Sequence, residues 1–313
     1  MKLIKPRFWS KKYMNFWSII LLPISIIIQC LLWIKFKITN RIRFEIPIIC
    51  VGNIYLGGTG KTPVSLKVYD LLKDQKKKPV IIKKYYKDQL DEIDFVKSKS
   101  KKIFVQKKRV IAIKEAIKNN FDVIVLDDGF QDYSIYKKIN ILCFNEKQMI
   151  GNGHTIPSGP LRENLNSIKR SNIIIVNGKK NVEIEKKFKK ISNNISIFYS
   201  KYLPENLNNF KKNYLAFAGI GNPENFFDLL RSYKIKVEEE IYFPDHYNYS
   251  KKEIEQLLEK AKKNNLHLLT TEKDYFRLKK IGYNDINFLP IKIVLENENL
   301  FLKRIQDLLY EKN

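Results

Sequence analysis

The chain has 313 residues, room for more than one domain at about 150 residues each, and 44% of them are hydrophobic and 12% aromatic. That apolar content excludes an intrinsically disordered protein, and a mean hydropathy of -0.33 excludes a protein of many membrane spans. The excess of 58 basic over 33 acidic residues, a net charge of +25, points to a polyanionic partner such as nucleic acid, anionic lipid or a phosphorylated metabolite. Lys, Asn and Ile saturate the whole chain, so only local clustering of charge is informative.

The N-terminal segment, residues 1–43, holds Lys2, Lys5, Arg7, Lys11, Lys12, Lys35, Lys37, Arg41 and Arg43 and no acid; the first carboxylate is Glu45. Between the basic clusters runs FWSIILLPISIIIQCLLWI, residues 16–34, which as a helix is about 28 Å long, near the thickness of a bilayer's hydrocarbon core. Tyr13, Trp17 and Trp33 stand near its ends, where aromatic belts belong. Ser18, Ser25 and Gln29 share one helical stripe and Pro23 interrupts it, a pattern that suits a helix lying partly in one leaflet. Spanning and monotopic attachment both remain open at this level.

From residue 44 the chain alternates short β-branched runs with helical patterns, the rhythm of βαβ units and a mostly parallel sheet. Strands are expected at 46–51, 79–83, 102–105, 122–126, 139–144 and 173–176, with helices at 61–73 and 109–118. A loop-rich stretch at 202–213 then precedes a second alternating series: strands at 214–218, 237–242, 266–270 and 291–295, helices at 223–232, 251–263 and 300–309. The expected organisation is a membrane helix in 1–43, a P-loop NTPase-like α/β domain in 44–203 and a smaller α/β domain in 204–313, without internal repeats.

Cys30, Cys50 and Cys143 lie far apart in apolar runs, so neither a disulfide framework nor a zinc site is indicated, and a reducing, cytosolic setting fits. His154, His246 and His267 are too few for a histidine-rich metal site. His267, inside an apolar strand, reads as a packed core residue; His246 beside Asp245 could be an oriented proton shuttle, with an inert role equally open.

The strongest motif is Gly57-Gly58-Thr59-Gly60-Lys61-Thr62, after an apolar strand and before a helix. There glycine amides wrap phosphates, Lys61 reaches the β- and γ-phosphates and Thr62 can ligate Mg²⁺. The usual spacing wants glycine at 55, where Tyr55 stands. A second motif, Asp127-Asp128-Gly129-Phe130-Gln131, ends a buried parallel strand in two carboxylates, and their combined negative charge is expected to be offset by a divalent ion. Gly151-Asn152-Gly153-His154 and Gly159-Pro160-Leu161-Arg162-Glu163 form a long loop at the strand-end edge where α/β folds bind ligands.

Together these residues resemble the tetraacyldisaccharide 4'-kinases, the lipid A 4'-kinase family of Gram-negative bacteria. The resemblance runs along nearly the whole chain: the basic-flanked helix, Val51-Gly52-Asn53 leading into GGTGKTP, DDGFQ at 127–131, GNG at 151–153, GPLRE at 159–163, FAGIGNP at 217–223, FPDHY at 243–247 and TTEKD at 270–274. It implies transfer of the ATP γ-phosphate to the 4'-hydroxyl of a tetraacylated disaccharide 1-phosphate, giving lipid IVA, at the cytoplasmic face of the inner membrane. The same resemblance implies ATP and Mg²⁺ as cofactors, a glycolipid substrate and an anionic membrane surface as partners, and no obligate protein partner. Gly57, Gly58, Thr59, Gly60, Lys61 and Thr62 would hold ATP; Thr62, Asp127, Asp128 and Glu92 would hold the metal. The family's dyad pairs an aspartate of a Gly-Asp-Glu-Pro motif with a second-domain histidine; His246 matches, and Asp91 in Leu90-Asp91-Glu92-Ile93 is the candidate, without the flanking glycine and proline. Tyr86, Arg109, Gln131, Arg162 and Glu163 are the expected substrate contacts. The chain departs from the family pattern at Lys84-Tyr85-Tyr86, where Arg-Gly-Tyr is usual, and at Asp132, where a histidine usually follows DDGFQ.

Two other readings compete. A membrane-tethered P-loop ATPase acting on a protein partner fits the loop and the anchor but leaves GPLRE and FPDHY without a task. Nucleic-acid binding is supported by charge alone, with no array of aromatic and basic residues on a strand face, so no nucleic-acid partner is expected.

Overall fold

The computed structural model describes residues 6–10, 15–86, 90–99, 102–245 and 247–311. In chain order its elements are α1 (Phe16–Ile38), β1 (Ile48–Gly52), α2 (Lys61–Asp74), β2 (Pro79–Lys84), α3 (Leu90–Lys99), β3 (Ile103–Gln106), α4 (Arg109–Lys118), β4 (Val123–Asp127), β5 (Ile139–Asn145) and β6 (Ile173–Asn177). They continue with α5 (Val182–Ile191), β7 (Ser196–Pro204), β8 (Tyr214–Ala218), α6 (Pro223–Ser232), β9 (Val237–Tyr242), α7 (Lys251–Lys263), β10 (His267–Thr271), α8 (Glu272–Lys280), β11 (Asn287–Leu289), β12 (Ile291–Leu295) and α9 (Glu298–Tyr310).

The chain folds as two units, the first made of Met1–Lys84, Lys102–Lys201 and Val294–Asn313, the second of Tyr85–Lys101 and Tyr202–Ile293. The first unit is built on a sheet of order β12-β7-β6-β5-β1-β4-β2-β3. Its inner strands read as unbroken apolar runs because both faces are covered, as parallel sheets require. Successive side chains alternate between the faces: Ile48, Cys50, Ile124, Leu126, Leu142, Phe144, Ile174 and Val176 pack with Ala112 and Ile113 of α4 and Phe188 of α5. Helix α2 lies against β1, β2 and β4. Each such fully buried aliphatic side chain contributes about 1.5–3 kcal/mol.

The second unit is a four-stranded parallel sheet, β11-β10-β8-β9, between helices. Phe226, Phe227 and Leu230 of α6 pack on Tyr214, Ala216 and Leu269, while Ile254, Leu257 and Ala261 of α7 pack on Leu215, Phe217 and Leu268. A Ser250/Glu253 capping box starts α7.

These units differ from the expected boundaries at 43/44 and 203/204 in two places. Helix α3, absent from the expected elements, packs on α8 and is pinned by ion pairs Lys99–Glu272 (2.9 Å), Lys273–Glu92 (2.9 Å) and Lys280–Asp94 (2.7 Å), so residues 85–101 join the second unit. The last residues return to the first: Glu296 N–H donates to the Tyr199 carbonyl, and Lys67 of α2 pairs with Glu298 at 2.8 Å. Strand β7 and helix α5 are likewise found where no element was expected. His267 stands at the exposed start of β10 rather than in the core.

Candidate active site

After β1 the chain turns through Gly57, Gly58 and Gly60 at φ 81°, 52° and 84°, left-handed angles that glycine adopts without strain. Gly60 caps α2, so the unpaired first amides of that helix and the positive end of its dipole face the loop, an anion site by construction. Asn53 Nδ2 braces the loop from below by donating to the buried Thr59 hydroxyl at 2.8 Å. Lys61 and Thr62 are the first two residues of α2.

Asp127, the last residue of β4, is wholly buried. Thr62 Oγ1 donates to its Oδ2 and Ser65 Oγ to its Oδ1, each at 3.1 Å. Lys83 Nζ, from β2, lies 2.6 Å from Oδ2, with the two side chains 4% and 0% exposed. Asp128 takes the left-handed φ of 56°, a conformation that costs a non-glycine residue about 1 kcal/mol and that turns its carboxylate out of the strand line. Arg162 reaches both Asp128 oxygens at 3.1 and 3.3 Å, and Lys61 Nζ lies 3.9 Å away. The negative charge of the pair, expected to be offset by a divalent ion, also has cations within the protein: Lys83 beside Asp127, and Arg162 with Lys61 beside Asp128. Lys61 and Arg162 belong to the motifs read in the sequence, whereas Lys83 reaches Asp127 only because β2 pairs with β4.

The GPLRE loop is stitched to the entry of the glycine loop. Leu56 N–H donates to the Pro160 carbonyl at 2.9 Å, Arg162 N–H to the Ile54 carbonyl at 2.7 Å, and Tyr55 bridges Leu161 in antiparallel fashion. Glu163, buried, pairs with Arg170. Arg109 is buried too; it donates to Asp132 at 3.2 Å and to the Asp128 carbonyl at 2.6 Å, while Gln131 Nε2 donates to the Asn53 carbonyl at 2.9 Å. Arg109, Gln131 and Glu163 thus have internal partners and act first as the frame of the site.

The polar stripe of α1 faces this loop. Ser25 Oγ donates to the Thr155 carbonyl (2.9 Å) and accepts from Ser158 N–H (2.9 Å); Ser158 Oγ donates to the Ser18 carbonyl (2.7 Å); Asn164 N–H donates to Gln29 Oε1 (3.1 Å). The other face, including Trp17, Ile20, Ile24, Ile27, Leu31 and Trp33, is exposed. The stripe, read in the sequence as suiting a helix lying partly in one leaflet, holds the helix to residues 152–164, with Asn152 Nδ2 donating to Ser18 Oγ at 3.1 Å as well. The helix is 23 residues long, and only 6% of its most apolar window is buried.

Among the described residues no group of three or more His, Cys, Asp and Glu side chains forms a metal cluster. Thr62 and Asp127 supply the hydroxyl and carboxylate that a magnesium ion takes beside its waters and substrate phosphates, although Oδ2 of Asp127 is already held by Thr62 and by Lys83. In the second unit, Glu92 pairs with Lys273. Asp91 stands in the first turn of α3, Tyr86 is exposed after β2, and His246 lies outside the described residues. The TTEKD motif is a structural clasp: Asp274, fully buried, accepts from Gly219 N–H (2.9 Å) and Thr271 Oγ1 (2.7 Å) and pairs with Arg277 (2.5 Å). Sequence reasoning missed Lys83 and Ser65; a lysine closing the otherwise apolar run of β2 was the available signal.

Comparison with known proteins agrees with this geometry. The family model for tetraacyldisaccharide-1-P 4'-kinase matches residues 17–102 and 91–310. A tetraacyldisaccharide 4'-kinase of Pelagibacter ubique (strain HTCC1062) is 43% identical over 318 residues, covering 100% of both chains, and one of Rickettsia bellii (strain OSU 85-389) is 35% identical over 97% of this chain and 98% of its own. The LpxK of Aquifex aeolicus, whose crystal structure is in complex with ATP, superposes with a TM-score of 0.71 at 24% identity over 94% of this chain and 99% of that one, a likeness of fold. With a family model spanning most of its length and a relative this similar from end to end, the chain belongs to the tetraacyldisaccharide-1-P 4'-kinase family.

Proposed function

We propose that this chain is an ATP-dependent tetraacyldisaccharide 4'-kinase of lipid A biosynthesis, phosphorylating the 4'-hydroxyl of a tetraacyldisaccharide 1-phosphate to give lipid IVA. The observation that carries the reading is the junction of glycine loop, Asp127-Asp128 and GPLRE in one hydrogen-bonded frame, which gives GPLRE a place that a bare ATPase would not need. The α2 amides and Lys61 hold the triphosphate, and Arg162 with Lys61 orients Asp128 beside it. Thr62 and Asp127 would hold Mg²⁺, which draws charge from the phosphate oxygens when bound. Asp91, assisted by His246, takes the proton of the 4'-hydroxyl as its oxygen bonds to the γ-phosphorus and the bond to ADP breaks. Glu92 is proposed as a further metal ligand and Tyr86 as a substrate contact, while Arg109, Gln131 and Glu163 act by bracing the frame from within.

The exposed apolar face of α1 and its basic flanks support attachment at the cytoplasmic surface of the inner membrane, where a four-chain lipid keeps its head group. The seam along Ser18, Ser25 and Gln29 supports a helix lying in the surface rather than crossing it, because one face is already committed to protein. The test is phosphate transfer from γ-labelled ATP to tetraacyldisaccharide 1-phosphate in detergent micelles, comparing the intact protein with Lys61→Ala. Labelled lipid from the intact protein alone is expected; ATP hydrolysis without labelled lipid overturns the reading.

A further inference from the structure

Lys83 is a buried cation beneath the glycine loop that no step of the reaction uses. It is a direct partner of Asp127 in the β2–β4 ladder, so the two side chains leave neighbouring strands at the same level and on the same face of the sheet. That pairing, rather than a loop, sets the ammonium 2.6 Å from Oδ2, with Lys83 only 3% exposed. Lys61 and Arg162 meet Asp128 in a wetter place, where 15% and 26% of their side chains stay exposed. Water screens the Asp128 pairs far more than the Asp127 pair, so the Lys83 charge acts with little screening on anything brought to Asp127.

Both oxygens of Asp127 already accept hydrogen bonds, Oδ2 from Thr62 and Lys83 and Oδ1 from Ser65. A divalent cation brought alone to this carboxylate has to displace a donor and approach an ammonium of like sign. Their repulsion at contact distances exceeds thermal energy several-fold even at an effective dielectric constant of about 20. The triphosphate changes this balance, because its oxygens carry negative charge and supply most of the ligands that a magnesium ion takes.

We infer that Lys83 sets the order in which this site fills: held on Asp127 Oδ2, it keeps the nucleotide-free protein from taking free Mg²⁺, so that the ion enters only with the nucleotide that carries it. The inference rests on the reading of Thr62 and Asp127 as the metal side of an ATP site. A lysine that served the sheet as a brace alone would leave metal affinity untouched when removed.

The test uses the full chain in detergent micelles, with Mn²⁺ as the probe and the electron paramagnetic resonance signal of free Mn²⁺ as the readout, so no turnover is involved. Without nucleotide, the intact protein is expected to bind Mn²⁺ no more tightly than Asp127→Asn does. With ADP bound and protein in excess, the intact chain is expected to hold Mn²⁺ at least about tenfold more tightly than Asp127→Asn. Lys83→Met without nucleotide is expected to gain at least about tenfold over the intact chain, a gain that Lys83→Met/Asp127→Asn loses and the charge-keeping Lys83→Arg does not show. Unchanged Mn²⁺ affinity in Lys83→Met overturns the inference, as does a gain that survives Asp127→Asn. An Asp127-dependent Mn²⁺ site in the intact, nucleotide-free protein overturns it as well, and that arm decides even if Lys83→Met does not fold. If Asp127→Asn leaves Mn²⁺ binding unchanged with ADP bound, the metal reading of Asp127 fails and takes the inference with it, whereas the other adverse outcomes leave that reading standing.

Discussion

Replacing Lys83 by methionine isolates the charge balance beneath the glycine loop. Methionine keeps most of the side-chain volume, so the change leaves Asp127 buried with its hydrogen bonds from Thr62 and Ser65 but without the ammonium 2.6 Å away. Removing one partner of a buried pair costs about 3–5 kcal/mol, because the surviving charge has already lost its water. The two hydroxyl donors retain part of the carboxylate's stabilisation, which places the loss near the lower end, about 3 kcal/mol. For a unit of this size that is a fall of about 6–12 °C in the midpoint of its thermal transition. The assay is differential scanning calorimetry, with hydrogen exchange of the β1 and β4 amides assigning the transition to the first unit, since a two-unit chain need not unfold in one step. Adding Asp127→Asn to Lys83→Met removes the stranded charge, so the double variant is expected to be more stable than Lys83→Met alone. A shift below about 2 °C in the single variant, or a double variant less stable than the single, would refute the reasoning.

Three further outcomes follow from the same structure. Burial pushes the Asp132 carboxyl up, but the Ser134 hydroxyl, Arg109 and Lys137 outweigh it and hold it below the usual carboxylate range. A depressed folded value means stability that is present above the unfolded value of about 4 and lost as pH falls through the folded one, so Asp132→Asn is expected to flatten the acid limb of urea unfolding below about pH 4; an unchanged limb contradicts this. Cys30 is exposed, whereas burial pushes the Cys50 thiol up to about 11 and Cys143 higher still, so a thiol reagent at neutral pH is expected to label Cys30 alone until the chain unfolds, and vesicles to protect it. Rapid labelling of Cys50 or Cys143 in the native protein contradicts the fold. Ser25→Ala strips the Ser158 amide of its partner, and a loss of about 1–3 kcal/mol is expected in urea unfolding, together with a lower kcat if the α1 seam positions GPLRE.

The sequence by itself determined the alternation of β and α, the phosphate-binding loop and the apolar helix, because each is written in contiguous residues. Inner strands such as β1, β4 and β6 are short apolar runs dominated by Ile and Val, and Gly57 to Thr62 sits at a strand-to-helix turn. Tertiary structure alone decided the rest. Periodicity tells a segment which face to bury but not against what, so residues 85–101 and the last twenty residues fall in other units than the expected ranges, and the strand at Ser196–Pro204, half exposed and interrupted by Lys201, carries too weak a pattern to be seen. The charge balance is the clearest case. Lys83, Asp127 and Arg162 are far apart in the chain and meet only because β2 pairs with β4 in register and the GPLRE loop folds back on residues 54–56. Coulomb energy depends on distance in space, and only the packed sheet sets that distance.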